Sequence, residues 1–446
     1  MTRSLCVFVV VSVSGIAAPL QAQGLRDLIS DLFIFGSGGQ PLFLAGTAGA
    51  SNPASVQAHG SHFVPAAVEG NATLIGFLTS AIGSSVANLP ISATSSGQTF
   101  RFEGGVPVAT STSAGPIFAE RAQTLGRGRV LAGVNVNRMH FQSVRGVDLA
   151  NIELNFTHAN SNFPGCDTLF GGDCAVMGRP TLENDFIALD LSIKLDVTAT
   201  VFVLSYGLLD WMDVGVAVPV VSASLRGTSV AQVVPFGGTS ATHFFAGVPT
   251  NPELAASRFV EGSATGVGDV AARLKVRLSQ SERAAFGILA DARFATGDAT
   301  DLLGAGHTAV RGLGMVSARF GSFSPHANVG YVYRSGGELN DAVLATAGFD
   351  HALSDWATLA VDLISELEAG ESGLVIPGVV HIDVPFRRTI EPTNIPDGRD
   401  DIVNGSLGFK FVTRPGLTIV TNSLWPLNRG GLRPGVAWTL GLEYNF

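Results

Sequence analysis

The chain has 446 residues and a formal net charge of −9 at pH 7, and only 14% of its residues are charged, against about 25% in typical soluble domains. The acidic balance and the lack of a basic run argue against a nucleic-acid partner. Mean hydropathy is +0.34, yet beyond the N-terminus no run approaches the roughly 18 apolar residues of a membrane helix. Hydrophobicity spread in this way is typical of a membrane barrel.

Residues 1–22 read as a secretory signal peptide. Arg3 precedes an apolar core from Leu5 to Ile16, and a small-residue exit follows near Ala22, which is the expected order of such a signal. A single-span anchor is the alternative, but the apolar core is short and Pro19 follows it. We therefore expect export and cleavage after Ala22.

Residues 23–126 differ from the rest of the chain. Apolar residues recur at helical spacing in "GLRDLISDLFIFG" and again in "TLIGFLTSAIGSSV", which predicts two amphipathic helices. Gly-, Ser- and Thr-rich stretches separate them, with a hairpin expected around "SATSSGQTFRFEGG". We interpret this region as a partly helical plug or a periplasmic domain, with a loosely structured tail as the alternative.

From residue 127 to residue 446, apolar and polar residues alternate in segment after segment. Alternation with a period of two predicts strands with one apolar face, and the sequence indicates an all-β, transmembrane antiparallel barrel. About twelve strands are expected, near 129–142, 186–207, 213–225, 265–278, 284–295, 312–321, 325–335, 342–352, 356–367, 401–412, 417–425 and 434–446.

The connections between these strands alternate between five tight turns and six mostly longer loops. Outer-membrane barrels have short periplasmic turns and long outer loops, whereas a soluble β-sandwich has no reason to separate its loops in this way. Aromatic residues lie near many strand ends, where interfacial girdles are expected. The sequence therefore predicts the outer membrane of a Gram-negative-type bacterium as the location, with membrane lipid around the barrel.

The chain ends with "GVAWTLGLEYNF", in which six apolar residues stand strictly two apart. We interpret this segment as the last strand of the barrel, with an aromatic terminus in the assembly signal that the barrel-insertion machinery reads. The residues assigned to this signal are Trp438, Tyr444 and Phe446.

Few residues suggest reactive chemistry. Cys166 and Cys174 have seven residues between them in "CDTLFGGDC", and in an exported chain they are expected to form a local disulfide rather than a metal site. The sequence has neither HExxH nor GxSxG, so we expect no catalytic residues, metal or cofactor and no enzyme activity. His326 is interpreted as a hydrogen-bond partner in the lumen.

Several short motifs resemble a known family. "GPIFAERAQTLGRGRVLAGVNVN", "ATGVGDVAARLKV", "FATGDATDLLGAG", "SPHANVGY" and "GLEYNF" resemble the phenol-degradation meta-pathway family of outer-membrane β-barrel proteins, over most of residues 110–446. That family is described as transporter-like and is broadly similar to the long-chain fatty-acid transporters. The resemblance implies an outer-membrane location and passage of hydrophobic or aromatic small molecules.

The alternation also assigns charged residues to the inner face of the barrel. A structural interpretation pairs them across the lumen, since an unpaired buried charge is unfavourable, and a functional one makes them an electropositive wall for anions. The predicted function is passive diffusion of a small-molecule solute through a porin-like channel. A filled structural or adhesin-like barrel and an outer-membrane hydrolase are the alternatives. The lumen-facing candidates are Asp190, Lys194, Asp196, Arg273, Lys275, Arg277, Asp291, Arg293, Arg319, Arg334, Asp362 and Glu366.

Overall fold

The structure is a computed structural model. It describes residues 23–35, 39–44, 46–47, 60–87, 100–103, 106–109, 113–157, 185–235, 243–336, 339–382, 387–414 and 416–446. The signal peptide over 1–22 and the disulfide between Cys166 and Cys174 lie outside the described residues. Both therefore stay predictions.

Twelve strands form one closed antiparallel barrel, in which each strand pairs with the next along the chain and the last pairs with the first. The closing seam runs from Trp438 opposite Arg138 to Asn445 opposite Leu131. The predicted all-β barrel of about twelve strands is confirmed. The strands are β1 (Val130–Val144), β2 (Phe186–Leu209), β3 (Met212–Val234), β4 (Ala271–Gln280), β5 (Ala284–Arg293), β6 (Ala309–Ala318), β7 (Phe323–Arg334), β8 (Ala342–Ser354), β9 (Ala357–Glu368), β10 (Ile402–Arg414), β11 (Leu417–Pro426) and β12 (Ala437–Asn445).

The two ends of the barrel differ in their connections. Tight turns at 210–211, 281–283, 319–322 and 355–356, and the short connection between Arg414 and Leu417, join strand pairs at one end, here named the short-turn end. The longer connections lie at the other end, here named the long-loop end. This is the division that the sequence predicts.

The outer surface of the closed barrel is apolar. On β2 the side chains of Phe202 and Leu204 are 51% and 49% exposed, while their neighbours Val201 and Val203 are buried. Exposed aromatic rings lie at both ends of the closed barrel: Trp211, Phe320, Trp356, Tyr444 and Phe446 near the short-turn end, and Phe294, Tyr331, Tyr333, Trp425 and Trp438 near the long-loop end. An apolar band between two aromatic girdles is the surface expected of a barrel surrounded by lipid.

Strands β2 and β3 continue beyond the closed barrel at the long-loop end. We name this part the extension: residues 186–199 of β2 and 222–234 of β3, flanked by the strands Ile152–Thr157 and Ala255–Val267. In the extension the outward side chains become polar and the inward ones apolar, with Leu189 and Ile193 buried and Lys194 exposed. The extension therefore has the pattern of an ordinary sheet in water, with its apolar face covered.

Helix α1 (Leu25–Asp31) covers the inward face of the extension. Its residue Ile29 is fully buried, and the Ser229 hydroxyl donates a 2.6 Å hydrogen bond to the Leu32 carbonyl just after the helix. The N–H of Arg26 donates to the carbonyl of Thr300, in the long loop before β6, over 2.9 Å. The described start of the chain thus lies at the long-loop end.

Helix α2 (Val64–Ala87) lies across the lumen at the same end. The Ser84 hydroxyl donates to Glu366 of β9 over 3.4 Å, and Phe77 and Ile82 are fully buried. In the part of the chain that the structure describes, no helix is both long and apolar enough to cross a membrane. Other short strands are Gly46–Thr47, Phe100–Glu103, Val106–Ala109, Val147–Asp148, His243–Phe244, Ala246–Val248, Asn251–Glu253, Val380–Ile382, Arg388–Ile390 and Leu432–Pro434.

We expect deletion of Phe446 to lower the amount of assembled barrel in the outer membrane. Its ring is 67% exposed and lies 4.5 Å from the Tyr444 ring, centroid to centroid, so it is accessible to the insertion machinery that the sequence predicts. The measurement is the yield of heat-modifiable protein in the membrane fraction, with Phe446→Tyr as the control that keeps an aromatic terminus. An unchanged yield after the deletion would contradict the prediction.

Candidate functional site in the barrel lumen

Residues 113–127, here named the inner segment, lie inside the barrel near the short-turn end. Their backbone N–H groups donate to oxygen atoms on the inner wall: that of Phe118 to Asp362 Oδ2 over 3.3 Å, and that of Glu120 to Asn328 Oδ1 over 2.8 Å. Further such bonds join Ala114 to Thr358, Ala122 to Ser317 and Leu125 to Asp213. Since an extended buried segment needs partners for its amides, the polar wall supplies them and holds the segment across the lumen.

Glu120 is the main acidic group of the inner segment. It is buried, and its carboxylate binds Arg273 Nη1 at 2.6 Å and Lys275 Nζ at 3.3 Å. Both cations lie on the inward face of β4, and Lys275 is fully buried. These two basic residues, which the sequence assigns to an electropositive wall, therefore face a carboxylate from within the lumen.

Asp291 on β5 is a second anionic centre. It binds Arg311 Nε at 2.9 Å, Arg273 at 3.4 Å and Arg293 at 3.8 Å, and its side chain is 1% exposed. One carboxylate thus serves three guanidinium groups from adjacent strands. The arrangement favours the structural interpretation of these charges, in which opposite charges stabilise one another in a narrow lumen.

A third group of charges centres on His326, which lies on β7. Its Nε2 is 2.7 Å from Asp362 Oδ1 and its Nδ1 is 3.5 Å from Asp350 Oδ1. Asp350 also accepts from Arg121 and Ser113 of the inner segment. His326 therefore lies between two carboxylates, one of which anchors the inner segment. Within the described residues, no group of three or more His, Cys, Asp or Glu side chains is arranged to hold a metal ion.

Nearer the long-loop end, the inner wall contacts helix α2. Arg334 on β7 pairs with Glu366 on β9, and both contact the Ser84 hydroxyl. The two charged residues were assigned to the lumen from the alternation, and their side chains are 6% and 12% exposed. They hold the C-terminal part of α2 against the wall.

Four of the predicted lumen residues lie elsewhere. Asp190 and Lys194 are exposed and Asp196 is 43% exposed, all on the outward face of the extension. The structure corrects the assignment because the apolar face of β2 turns inward here, into the buried apolar core. Arg319 is exposed in the turn after β6. Arg277 keeps the inward position of Arg273 and Lys275, opposite Gly287 of β5 near the short-turn end, and bonds to Gln280.

The inner wall also holds charged residues that the sequence analysis did not assign. Lys410 on β10 and Glu443 on β12 form a fully buried pair at 3.4 Å. Both lie in correctly predicted strands, at positions that alternation assigns to the inner face. The sequence pattern therefore predicts their place on the inner wall. Glu120 and Arg121 have a weaker signal, as two adjacent charges in the otherwise small and apolar "GPIFAERA". The remaining unassigned members are Asp213, Arg311, Asp350 and Arg433.

A cavity of about 110 Å³ lies in the lumen between helix α2 and the inner segment. Ser85 lines it from α2, and Phe118 and Glu120 line it from the inner segment. Its polar and charged lining residues are Arg273, Arg311, Asn328, Thr346, Glu366, Asn404 and Arg433. Its apolar lining residues are Met139, Leu313, Leu344, Ile364, Ile402, Leu424, Leu432 and Ala437. An enclosed apolar space with a few polar groups is the usual form of a small-molecule site.

The chain has low similarity to known proteins. No protein-family model matches it, and no curated protein matches it. The resemblance to the phenol-degradation meta-pathway family therefore stays a prediction.

Three solved structures resemble the chain at low sequence identity. An outer membrane channel from Pseudomonas putida F1 is 10% identical with a TM-score of 0.40, and the match covers 73% of this chain and 98% of that one. A Pseudomonas aeruginosa FadL homologue is 12% identical with a TM-score of 0.31, covering 71% and 89%. A mutant of the TodX monoaromatic hydrocarbon channel is 10% identical with a TM-score of 0.33, covering 80% and 98%. These TM-scores are low, and the barrel is established by the strand pairing within this chain.

Proposed function

We propose that this chain is an outer-membrane channel that passes small, mainly hydrophobic or aromatic molecules by passive diffusion. The observation that carries the proposal is the lumen cavity of about 110 Å³, with apolar side chains from several strands, among them Leu344, Ile402 and Leu424. An engineered apolar cavity of about 150 Å³ accommodates benzene, so this one is suited to a small ring or a short chain. A cavity on the path of a channel must bind its solute weakly, so that the solute can leave.

The apolar outer surface supports the membrane part of the proposal. Residues such as Phe202, Leu274 and Leu440 are 41–60% exposed on the outside of the closed barrel. Large apolar patches of this kind are rare on proteins that remain in water. We propose the outer membrane of a Gram-negative-type bacterium, with the short-turn end in the periplasm and the insertion machinery as the assembly partner.

The plug assignment for residues 23–126 is part of the same proposal. Helix α2 bounds the cavity toward the long-loop end and the inner segment bounds it toward the short-turn end. A solute that crosses from end to end must therefore pass both boundaries. The inner segment has left-handed glycines at Gly115 and Gly126, which allow its backbone to turn where most residues would be strained. We propose that this segment moves.

The test is solute entry into porin-deficient cells, whose lipopolysaccharide leaflet slows hydrophobic molecules. Expression of the chain should raise the initial uptake of labelled toluene and leave uptake of labelled arabinose unchanged. Thr346→Trp, which places a large ring in the cavity, should return toluene uptake to the level of cells that lack the chain. Ala347→Trp is the matched control, since Ala347 is exposed on the outer face of the same strand.

Two results would contradict the channel. Equal toluene uptake in Thr346→Trp and the unsubstituted chain would show that the cavity is not on the path. Equal gains for toluene and arabinose would indicate a general pore. Both comparisons require a normal level of heat-modifiable barrel for each variant.

A filled, structural or adhesin-like barrel is the second candidate, favoured by the occupied lumen. Both α2 and the inner segment are fixed to the wall by several polar contacts. This candidate predicts no uptake of either solute. An outer-membrane hydrolase is less favoured, because the Asp–His group of His326 is engaged in ion pairs in the short-turn half and lies away from the outer rim.

A further inference from the structure

We infer that the lumen cavity contains an anion-binding subsite at Arg433, which selects small monocarboxylates with an apolar body; this inference rests on the proposed function. Arg433 lies in the strand Leu432–Pro434, opposite Ser143 of β1, and it lines the cavity. The residue is 3% exposed. Arg433 is not among the lumen residues predicted from the sequence.

The side chain of Arg433 is held in place but not neutralised. Its Nη2 donates to the Val403 carbonyl over 2.9 Å and to Asn404 Oδ1 over 2.5 Å, both on β10. Its Nε has no hydrogen-bond partner. Among the described residues, no carboxylate oxygen lies within 4.0 Å of its guanidinium. A buried cation without a counter-charge is unfavourable, and an incoming anion would supply the missing charge.

The rest of the cavity strengthens the case for an anion. The charged groups that line the cavity are three arginines, Arg273, Arg311 and Arg433, and two carboxylates, Glu120 and Glu366. Arg273 pairs with Glu120 and Arg311 pairs with Asp291, whereas Arg433 contacts only neutral oxygens of β10 among the described residues. A carboxylate beside Arg433 would accept a charge-assisted hydrogen bond from the guanidinium while Nη2 keeps its two contacts with the wall.

The apolar wall defines the body of the ligand. Leu424 and Ile402 line the same cavity as Arg433, on the neighbouring strands β11 and β10. The cavity is large enough for about one small ring. A molecule with a carboxylate at Arg433 and a ring or short chain against these side chains would satisfy both halves of the site. Benzoate has this form, and benzamide is its neutral counterpart of nearly the same shape.

The test is equilibrium dialysis of the purified full chain in detergent with labelled benzoate or labelled benzamide. Benzoate should bind at least about tenfold more tightly than benzamide, which is the ratio expected for a charge-assisted hydrogen bond. Arg433→Gln should remove that preference and leave benzamide binding unchanged, whereas Arg433→Lys should keep part of it. Arg138→Gln, which removes an exposed charge from the outer face of β1, should behave like the unsubstituted chain.

Three outcomes would overturn the subsite. They are equal binding of benzoate and benzamide by the unsubstituted chain, binding of neither, and a benzoate preference that survives in Arg433→Gln. If Arg433→Gln fails to fold, the comparison of benzoate with benzamide binding in the unsubstituted chain and in Arg433→Lys still tests the subsite. Toluene uptake separates this inference from the channel: uptake without a benzoate preference removes only the subsite, and a preference without uptake removes only the channel.

Discussion

Glu120→Ala is expected to destabilise the folded barrel by about 3–5 kcal/mol, because removing one partner of a buried ion pair leaves an uncompensated charge. Here two buried cations lose a carboxylate: Arg273, which binds it at 2.6 Å and keeps Asp291, and Lys275, which is fully buried. The inner segment would also lose its charged contact with β4. A lower free energy of unfolding should therefore accompany a more mobile boundary of the cavity.

The measurement is equilibrium unfolding in urea of the chain folded in lipid vesicles, followed by the fluorescence of its four Trp residues. Glu261→Ala is the matched control. Glu261 pairs with Arg226 on the extension, and both side chains are more than half exposed, so solvent screens the pair and its loss should change stability little. Similar free energies for the two variants would contradict the importance of the Glu120 pairs.

Val216→Arg is the second large effect that we expect. Val216 lies on β3, is 38% exposed, and points outward five residues beyond Trp211 in the closed barrel. At roughly 3.3 Å per residue and the usual strand tilt, this position is near the middle of the apolar band. An arginine there should cost about 2–4 kcal/mol of folding free energy in a bilayer.

Val230→Arg tests whether that effect comes from lipid. Val230 is on the same strand, points to the same side and is 43% exposed, but it lies in the extension, next to the polar outward residue Thr228. Water should solvate an arginine there, so unfolding and membrane insertion should remain nearly unchanged. If both substitutions lower the free energy of unfolding equally, the lipid boundary lies beyond the extension. If neither lowers it, the result argues against a bilayer around β3.

The sequence was sufficient to predict the barrel but not the direction of every strand face. Strict alternation and the division of loops by length led to twelve strands and to the right ends for the turns. On β4 and β5 the apolar residues do point outward, as with Leu274 and Ile288. On the outer half of β2 they point inward, because they are part of the buried apolar core there. A period of two cannot reveal which face is covered, so Asp190, Lys194 and Asp196 were assigned to the wrong side.

The site was predictable where charges occupy regular strands and unpredictable elsewhere. Arg273, Asp291 and Glu366 follow from alternation alone. Glu120 and Arg121 lie in a segment without a period, and their position depends on hydrogen bonds with strands about 200 residues away in the chain. Arg433 lies in a three-residue strand after a loop, which is too short for any pattern. Their roles depend on register and burial, which the linear sequence does not encode locally.

The path of the N-terminal region constrains how the molecule can be assembled. Helix α1 lies at the long-loop end, the inner segment lies near the short-turn end, and β1 starts directly after that segment. Helix α2 and the inner segment both contact the inner wall of the barrel, and both precede the first strand in the sequence. Threading a folded helix through a completed ring with a charged wall is implausible physically. We therefore expect the N-terminal region to be enclosed as the sheet curls, with pairing of β1 and β12 as the last step.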